Sequence, residues 1–167
     1  MDSNWRSALW GQFGAAIDSL QKAIVACPDD VWGDRVGWHE FWYLASHTLF
    51  WLDYYLTDAP NDFQPPAPFG LEELDPKGVL PPRVYSKSEL LTYLAYGRAK
   101  CRAKLAALTE KQLHHRAKSR NLSVLELLLY GLRHVQHHAA QLNLLLRQRT
   151  DSAPQWVDRA QDPLDKK

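Results

Sequence analysis

This chain of 167 residues has few cysteines, almost no net charge and no long apolar run. Its two cysteines, Cys27 and Cys101, are too few for a disulfide framework and lack the CxxC spacing of a sulfur zinc site. Lys and Arg number 20 against 19 Asp and Glu, so the overall charge gives no argument for binding nucleic acid or a membrane surface. The longest strongly apolar run, residues 41–52, is far too short to span a bilayer.

We expect no signal peptide, since neither a basic start nor an apolar middle is found in the N-terminal residues MDSNWRSALWGQF. Together with the scarcity of cysteine, this favours a reducing compartment, and we expect a cytoplasmic protein with no membrane partner. Hydrophobic residues make up 46% and charged residues 23%, which is close to the averages of globular proteins. The length suits one domain with its own core.

Apolar residues recur at helical spacing in four segments, and no segment alternates convincingly with the two-residue period of a strand. We predict helices over about residues 4–26, 36–56, 86–108 and 123–148. The last two begin with capping boxes, in which the serine and glutamate side chains of SKSE and SVLE satisfy free backbone donors. The sequence therefore predicts an all-α fold.

The connection between the second and third predicted helices is rich in proline. Residues 58–85 hold seven of the ten prolines, and proline fixes the backbone and withholds a donor, which excludes helix or central strand. A connection this long can run the length of a helical bundle, so that the two helices point the same way, or it can form a lid. We predict that residues 1–150 form the helical domain and that the tail, residues 151–167, packs back on it through Trp156.

Histidines interrupt the apolar faces of two predicted helices. His134 and His138 lie about 40° apart on one face of the last helix, among the residues expected to face the core. His47 lies between Leu44 and Trp51 on the core-facing side of the second helix. His47 and His134 each lie eleven residues beyond the expected start of their helix. The three side chains are therefore expected to meet at one depth.

A shared metal ion would satisfy three converging imidazoles. A buried imidazole without partners for its ring nitrogens costs about 1–3 kcal/mol, and neutral imidazole is a common ligand of divalent metals. The alternative is that these are unrelated histidines, each satisfied by carbonyl groups or water. His137 lies at the edge of the same face. We interpret His39 as a pocket residue and a poor ligand, and expect His114 and His115 to be solvated.

Two segments resemble the DinB-like (DinB/YfiT-like) family of metalloenzymes. They are FWYLASH, which ends at His47, and HVQHHAAQL, which begins at His134, and the resemblance extends over about residues 5–148. It implies an up-down-down-up four-helix bundle, often dimeric, with a long crossover between helices two and three. It also implies His47, His134 and His138 as metal ligands, with His137 as a non-ligand. Many relatives have Arg-Gly-Gln where this chain has Ala-Ala-Gln at residues 139–141, so no role of that arginine transfers.

The resemblance also implies a function. Family members of known activity include transferases and isomerases that depend on low-molecular-weight thiols. Three neutral histidines leave a divalent metal with open positions, as in catalytic sites, where it can lower the pKa of a bound thiol or polarise a carbonyl group or water. We therefore predict a metal-dependent enzyme, with a thiol-dependent transferase as the favoured reaction on a small-molecule substrate. The favoured ions are zinc and nickel, with iron and manganese as alternatives.

The competing hypothesis is a metal-dependent protein that binds a small molecule, or acts in a stress response, without turnover. No residue stands out as a general base, so the catalytic residues are unknown. Gln141 is predicted to orient a ligand or water, and the other candidates for the second layer or pocket wall are Tyr43, Tyr130, His137 and Trp51. Both tyrosines are also explained as ordinary core aromatics.

Three further features have simpler explanations. Residues 98–120 carry eight Lys and Arg against one acid, but cations are common in connectors and at helix C-termini, and no recognised motif accompanies them, so we predict no nucleic-acid partner. Asp53 lies about 120° from the face of His47 and is predicted to be solvated. Cys101 is predicted to be an inert small hydrophobe. A homodimer is expected, without a located interface.

Overall fold

The computed structural model describes residues 4–36 and 39–164 of the chain. Its regular secondary structure is almost entirely helical, which confirms the all-α prediction. The helices are α1 (Asn4–Ala26), α2 (Phe41–Leu56), α3 (Lys87–Ala107), the short α4 (Glu110–Leu113) and α5 (Val124–Thr150). Among the described residues, none of these helices combines the length and the apolar character needed to cross a membrane.

The second helix begins five residues later than predicted. Residues Arg35–Val36 (β1) pair with His39–Glu40 (β2) in a short antiparallel ladder, and residues 37–38 between them lie outside the described part of the chain. The N–H groups of Phe41 and Trp42 donate to the carbonyl groups of Asp34 and Trp32. These bonds satisfy two free donors in the first turn of α2. The helix therefore begins at Phe41, and the residues before it form the short ladder instead of a further turn of helix.

Both predicted capping boxes are present. The Ser86 hydroxyl accepts from the N–H of Glu89, whose carboxylate accepts from the N–H of Ser86 at 2.8 Å. The same exchange joins Ser123 and Glu126 at the start of α5. At the start of α4 the N–H of Thr109 donates to the side chain of Gln112, which is half of such a box and was not predicted. Local hydrogen bonds therefore fix the helix starts.

Each of the four long helices packs against two others, since α1 and α2 both contact α3 and α5. Arg6, near the start of α1, donates to the carbonyl group of Ala106 at the end of α3, so these helices run in opposite directions. Lys104, near the end of α3, donates to the carbonyl group of Leu56 at the end of α2, so α2 and α3 run in the same direction. The proline-rich crossover must therefore return along the length of the helices. The largest fully buried side chains are Trp10, Tyr93, Phe13, Phe41, Ile17, Leu20, Ile24, Leu49, Leu52, Leu90, Leu94 and Leu105.

Asp53 is buried, so the prediction that it is solvated is wrong. Its carboxylate has no exposed surface and lies 2.6 Å from the ammonium group of Lys100 in α3, and the Tyr93 hydroxyl donates to it at 3.1 Å. The prediction failed because α2 is buried on nearly every side, so a position 120° from His47 faces α3. The ion pair ties the two parallel helices together.

The C-terminal tail contacts α1 and α3, but Trp156 is 75% exposed, so the prediction that it anchors the tail is wrong. The buried tail residues are Val157 and Leu164, and Asp162 accepts from Arg98 and Arg102 while its carbonyl group accepts from the Trp10 indole. Charged groups in α3 thus determine where the tail docks, which the apolar pattern of the tail does not indicate.

The buried ion pair predicts a difference between two lysines of α3. Replacing Lys100 by methionine leaves the Asp53 carboxylate buried without its cation, and we expect a loss of about 3 kcal/mol in the free energy of unfolding. Lys104→Met is the matched control, because its partner Asp58 is 89% exposed and the expected loss is about 1 kcal/mol or less. Urea denaturation of both variants measures the difference, and equal losses would contradict the structural role given to Asp53.

Candidate metal centre

Three imidazoles converge between α2 and α5. His47 projects from α2, and His134 and His138 project from successive turns of α5. The ring centroid of His47 lies 5.3 Å from that of His134 and 5.1 Å from that of His138, and the centroids of the two α5 rings are 4.5 Å apart. One nitrogen of each ring can be chosen so that all three atoms lie within 4.8 Å of one another. The periodicity of two separate helices therefore brings together the residues that the sequence predicted would meet.

Hydrogen bonds at Nδ1 determine which nitrogen of two rings faces the cluster. Nδ1 of His138 lies 2.7 Å from Oε1 of Gln141, and an amide oxygen only accepts, so Nδ1 carries the proton. Nδ1 of His47 lies 2.7 Å from Oε2 of Glu73, which likewise accepts. Both rings thus keep the Nε2 lone pair free, which is the tautomer that a metal ligand requires.

The two histidines of α5 are held neutral by their surroundings. Burial, reinforced by the neighbouring histidines, lowers the pKa of His134 to about 3. Burial also lowers the pKa of His138 to about 4, although the bond to Gln141 opposes the shift. At neutral pH both rings therefore present lone pairs and no positive charge.

The donor set fits a divalent ion. Nε2 of His134 and Nε2 of His138 lie 3.1 Å apart, and lone pairs at that distance repel unless a proton or cation lies between them. Two nitrogens at zinc-ligand distance from one ion are separated by about 3.0–3.4 Å, depending on the angle at the metal. Nδ1 of His134 is buried and has no hydrogen-bond partner among the described residues, so Nε2 is the atom of this ring with a defined partner.

Glu73 completes the surroundings of His47 and was not predicted from the sequence. It lies in a 3-10 turn, Glu72–Leu74, within the proline-rich crossover. Its carboxylate accepts from His47 and from the Trp51 indole at 3.0 Å, and Tyr43 lies beside it. Burial raises the pKa of Glu73, but these hydrogen bonds outweigh burial and hold the pKa below its ordinary value. An ionised carboxylate on the far side of a ligating histidine is a recurrent feature of metal sites.

The predicted pocket residues differ in how close they lie to the cluster. Gln141 contacts His138, and Trp51 and Tyr43 each have ring centroids 6.3 Å from that of His47. Tyr130 packs against Tyr55, whose ring centroid lies 6.2 Å from that of His134. His137 is exposed beside His138 and does not join the cluster.

The remaining histidines and the cysteines lie apart from this centre. His39 is exposed and packs on Tyr43, and His114 and His115 are exposed, as the sequence predicted for the latter two. Both cysteines are buried, and burial raises the pKa of Cys27 to about 12 and raises that of Cys101 as well. Neither thiol ionises readily, which agrees with an inert role for Cys101.

The carboxylate behind His47 predicts a specific loss of metal affinity. Glu73→Gln removes the charge that holds the Nδ1 proton of His47, and we expect the dissociation constant for zinc to rise about tenfold or more. Glu72→Gln, in the same turn, is the matched control and should leave it unchanged. Competition with a chromophoric chelator measures both constants, and melting temperatures of the metal-free variants separate this effect from a loss of folding. Equal affinities of the two variants would contradict the role of Glu73.

A comparison with protein families agrees with this geometry. The family model described as the DinB superfamily matches residues 12–142, which include all three clustered histidines, Glu73 and the crossover. No curated protein and no solved structure matches the chain. The match covers well over half of the sequence and confirms the resemblance seen in its two histidine segments. The chain belongs to the DinB superfamily.

Proposed function

We propose that this protein binds one divalent metal ion through His47, His134 and His138 and uses it in catalysis on a small molecule. The observation that carries the proposal is the convergence of three imidazoles, two of which have their Nδ1 protons engaged so that Nε2 is available. Zinc and nickel suit this set of neutral nitrogen ligands best, and iron and manganese are the alternatives.

We further propose that the four long helices form the up-down-down-up bundle of this superfamily. Support comes from the contacts at helix ends, which make α2 parallel to α3 and α1 antiparallel to α3. Tyr55, at the end of α2, packs on Tyr130, near the start of α5, as expected for antiparallel helices. In such a bundle the three histidines lie at mid-height between two neighbouring antiparallel helices.

The proposed reaction is the transfer of a group to or from a low-molecular-weight thiol. A divalent ion held by three neutral ligands keeps its full charge and open positions, and it lowers the pKa of a thiol bound to it. The protein's own residues position the centre: Glu73 holds the Nδ1 proton of His47, and Gln141 holds that of His138. The rings of Trp51 and Tyr55 pack 5.3 Å apart beside the histidines.

One observation favours the second candidate, a protein that binds a small molecule through its metal without turnover. Glu73, the carboxylate in contact with the cluster, already accepts from His47 and Trp51. Its lowered pKa makes it a poor proton acceptor. A reaction that needs a strong general base would therefore have to draw it from the substrate or from water.

The metal proposal predicts about one divalent ion per chain in the purified protein. His47→Ala, His134→Ala and His138→Ala should each lose most of that metal, because each removes one of three ligands. His137→Ala is the matched control, since this exposed histidine neighbours the cluster on the same helix. Elemental analysis of the four variants decides the matter, and unchanged metal in all three ligand variants would overturn the proposal.

The catalytic proposal predicts conjugation of a low-molecular-weight thiol to an electrophile. Turnover should disappear on chelation and in His138→Ala, and return when the metal is restored to the wild-type chain. A spectrophotometric screen of several thiols against chromogenic electrophiles measures it, with His137→Ala as control. Metal-loaded protein that binds thiols but turns over none of these pairs would support the binding candidate instead.

A further inference from the structure

The basic run at residues 98–120 has four cations in α3 and three in the connection between α4 and α5, which differ in their surroundings, and Lys111 lies between them in α4. The cations of α3 are paired: Arg98 and Arg102 bind Asp162, and Lys100 and Lys104 bind Asp53 and Asp58, respectively. Between α4 and α5, in contrast, Arg116, Lys118 and Arg120 form no ion pair with any described residue. The positive charge of α3 is thus neutralised by carboxylates of the fold, whereas the cations of the connection have no carboxylate partner among the described residues.

The connection has an ordered shape. The N–H of Ala117 donates to the carbonyl group of Leu122, and the N–H of Val124 donates to that of His115. The three cations alternate with Ala117 and Ser119, and all three are exposed while the residues between them are partly buried. The exposed cations are therefore carried by a backbone that its own hydrogen bonds hold in place.

Two of these cations line a cavity of about 190 Å³ between the end of α2 and the start of α5. Arg116 and Lys118 contribute to its wall, and Leu127 and Leu128 form part of its apolar side. The only carboxylate in the lining belongs to Asp58, which is paired with Lys104 at 2.7 Å. The cavity therefore has an excess of positive charge.

Tyr55 connects this cavity to the metal centre. It forms part of the cavity wall, and its ring centroid lies 6.2 Å from that of His134. Arg120 donates to the Tyr55 hydroxyl at 2.9 Å, and its guanidinium group lies 5.1 Å from the Tyr55 ring and 4.7 Å from the Tyr130 ring. Positive charge thus extends from the cavity to the aromatic residues beside His134.

We propose that this cavity binds the anionic group, a carboxylate or a phosphate, of the small molecule on which the metal centre acts. The assignment of the reactive end rests on the proposed function, whereas the anion site follows from the basic cavity itself. The volume accommodates such a group but is smaller than a pocket for a whole drug-sized ligand, so the rest of the molecule would lie outside the cavity, with Tyr55 between the anionic group and His134. Arginine and lysine side chains bind both anions through charge-assisted hydrogen bonds.

Calorimetric titration of the purified full chain with inorganic phosphate, and separately with succinate, tests the site and distinguishes the two anions. For the anion that binds more tightly, Arg116→Gln/Lys118→Gln should raise the dissociation constant about tenfold or more, because two charge-assisted bonds are lost. Arg120→Gln tests the contribution at the edge of the metal centre. Lys77→Gln/Arg147→Gln is the matched control, since it removes the same charge from exposed positions elsewhere and should leave binding unchanged.

His138→Ala, with metal content measured on the same sample, separates this proposal from the proposed function. Anion binding that survives loss of the metal supports the cavity, whereas binding lost in His138→Ala but kept in the cavity variant places the anion on the metal and overturns the proposal. Equal weakening by the cavity and control variants, or no binding by the wild-type chain, also overturns it. Tighter binding of a short oligonucleotide through the same residues would replace it with a nucleic-acid surface.

Discussion

The close approach of His134 and His138 is the constraint on which the centre of this structure depends. Two neutral imidazoles with Nε2 atoms 3.1 Å apart inside a helix interface need a proton or a cation between them. Burial lowers the pKa of both rings, so neither carries a second proton at neutral pH; without a metal, the proton between them is that of the neutral Nε2–H tautomer of His134, and the lone pair of His47 is left unused. A divalent ion bound by His134, His138 and His47 would use the lone pairs of all three rings, and the remaining polar contacts of the site are consistent with such an ion.

The crossover serves the same centre from outside the helices. Because α2 and α3 point the same way, the chain must return along the helices between them, and a tight turn cannot do this. The return passes His47, and Glu73 reaches its Nδ1 from there. The length that parallel helices require thus also places an ionised carboxylate behind a proposed ligand. The crossover is both a connection and a part of the site.

The features that the sequence predicted correctly depend on short-range patterns. The starts of α3 and α5 follow from capping boxes that span four residues. The approach of His47 to His134 and His138 follows from helical periodicity and depth. The family match confirmed the resemblance carried by the two histidine segments. Each of these predictions needed only the geometry of single helices and one assumption about how they pair.

The features that were missed depend on contacts between distant parts of the chain. Glu73 lies 26 positions from His47 in a segment without periodicity, so no local pattern marked it as a partner. The prediction that Asp53 is solvated rested on its angle of about 120° from His47 around α2. The fold packs α3 against that side of α2, so Asp53 is buried. Trp156 was predicted to anchor the tail, whereas the tail buries Val157 and Leu164 and its Asp162 accepts from Arg98 and Arg102. Pairs of polar residues from distant parts of the chain therefore cannot be predicted from the local patterns of a single sequence.

The charges around the centre are separated along α2, and this gives the site a direction. Glu73 contacts Tyr43, His47 and Trp51, so its negative charge lies toward the first part of the helix. Arg120 contacts Tyr55, so positive charge lies toward its end. An anionic group entering the site is repelled from one side and attracted to the other, with the field strengthened by the apolar surroundings. If the anionic end of a substrate binds beside Arg120, as proposed, its other end would therefore be the one that reaches the histidines.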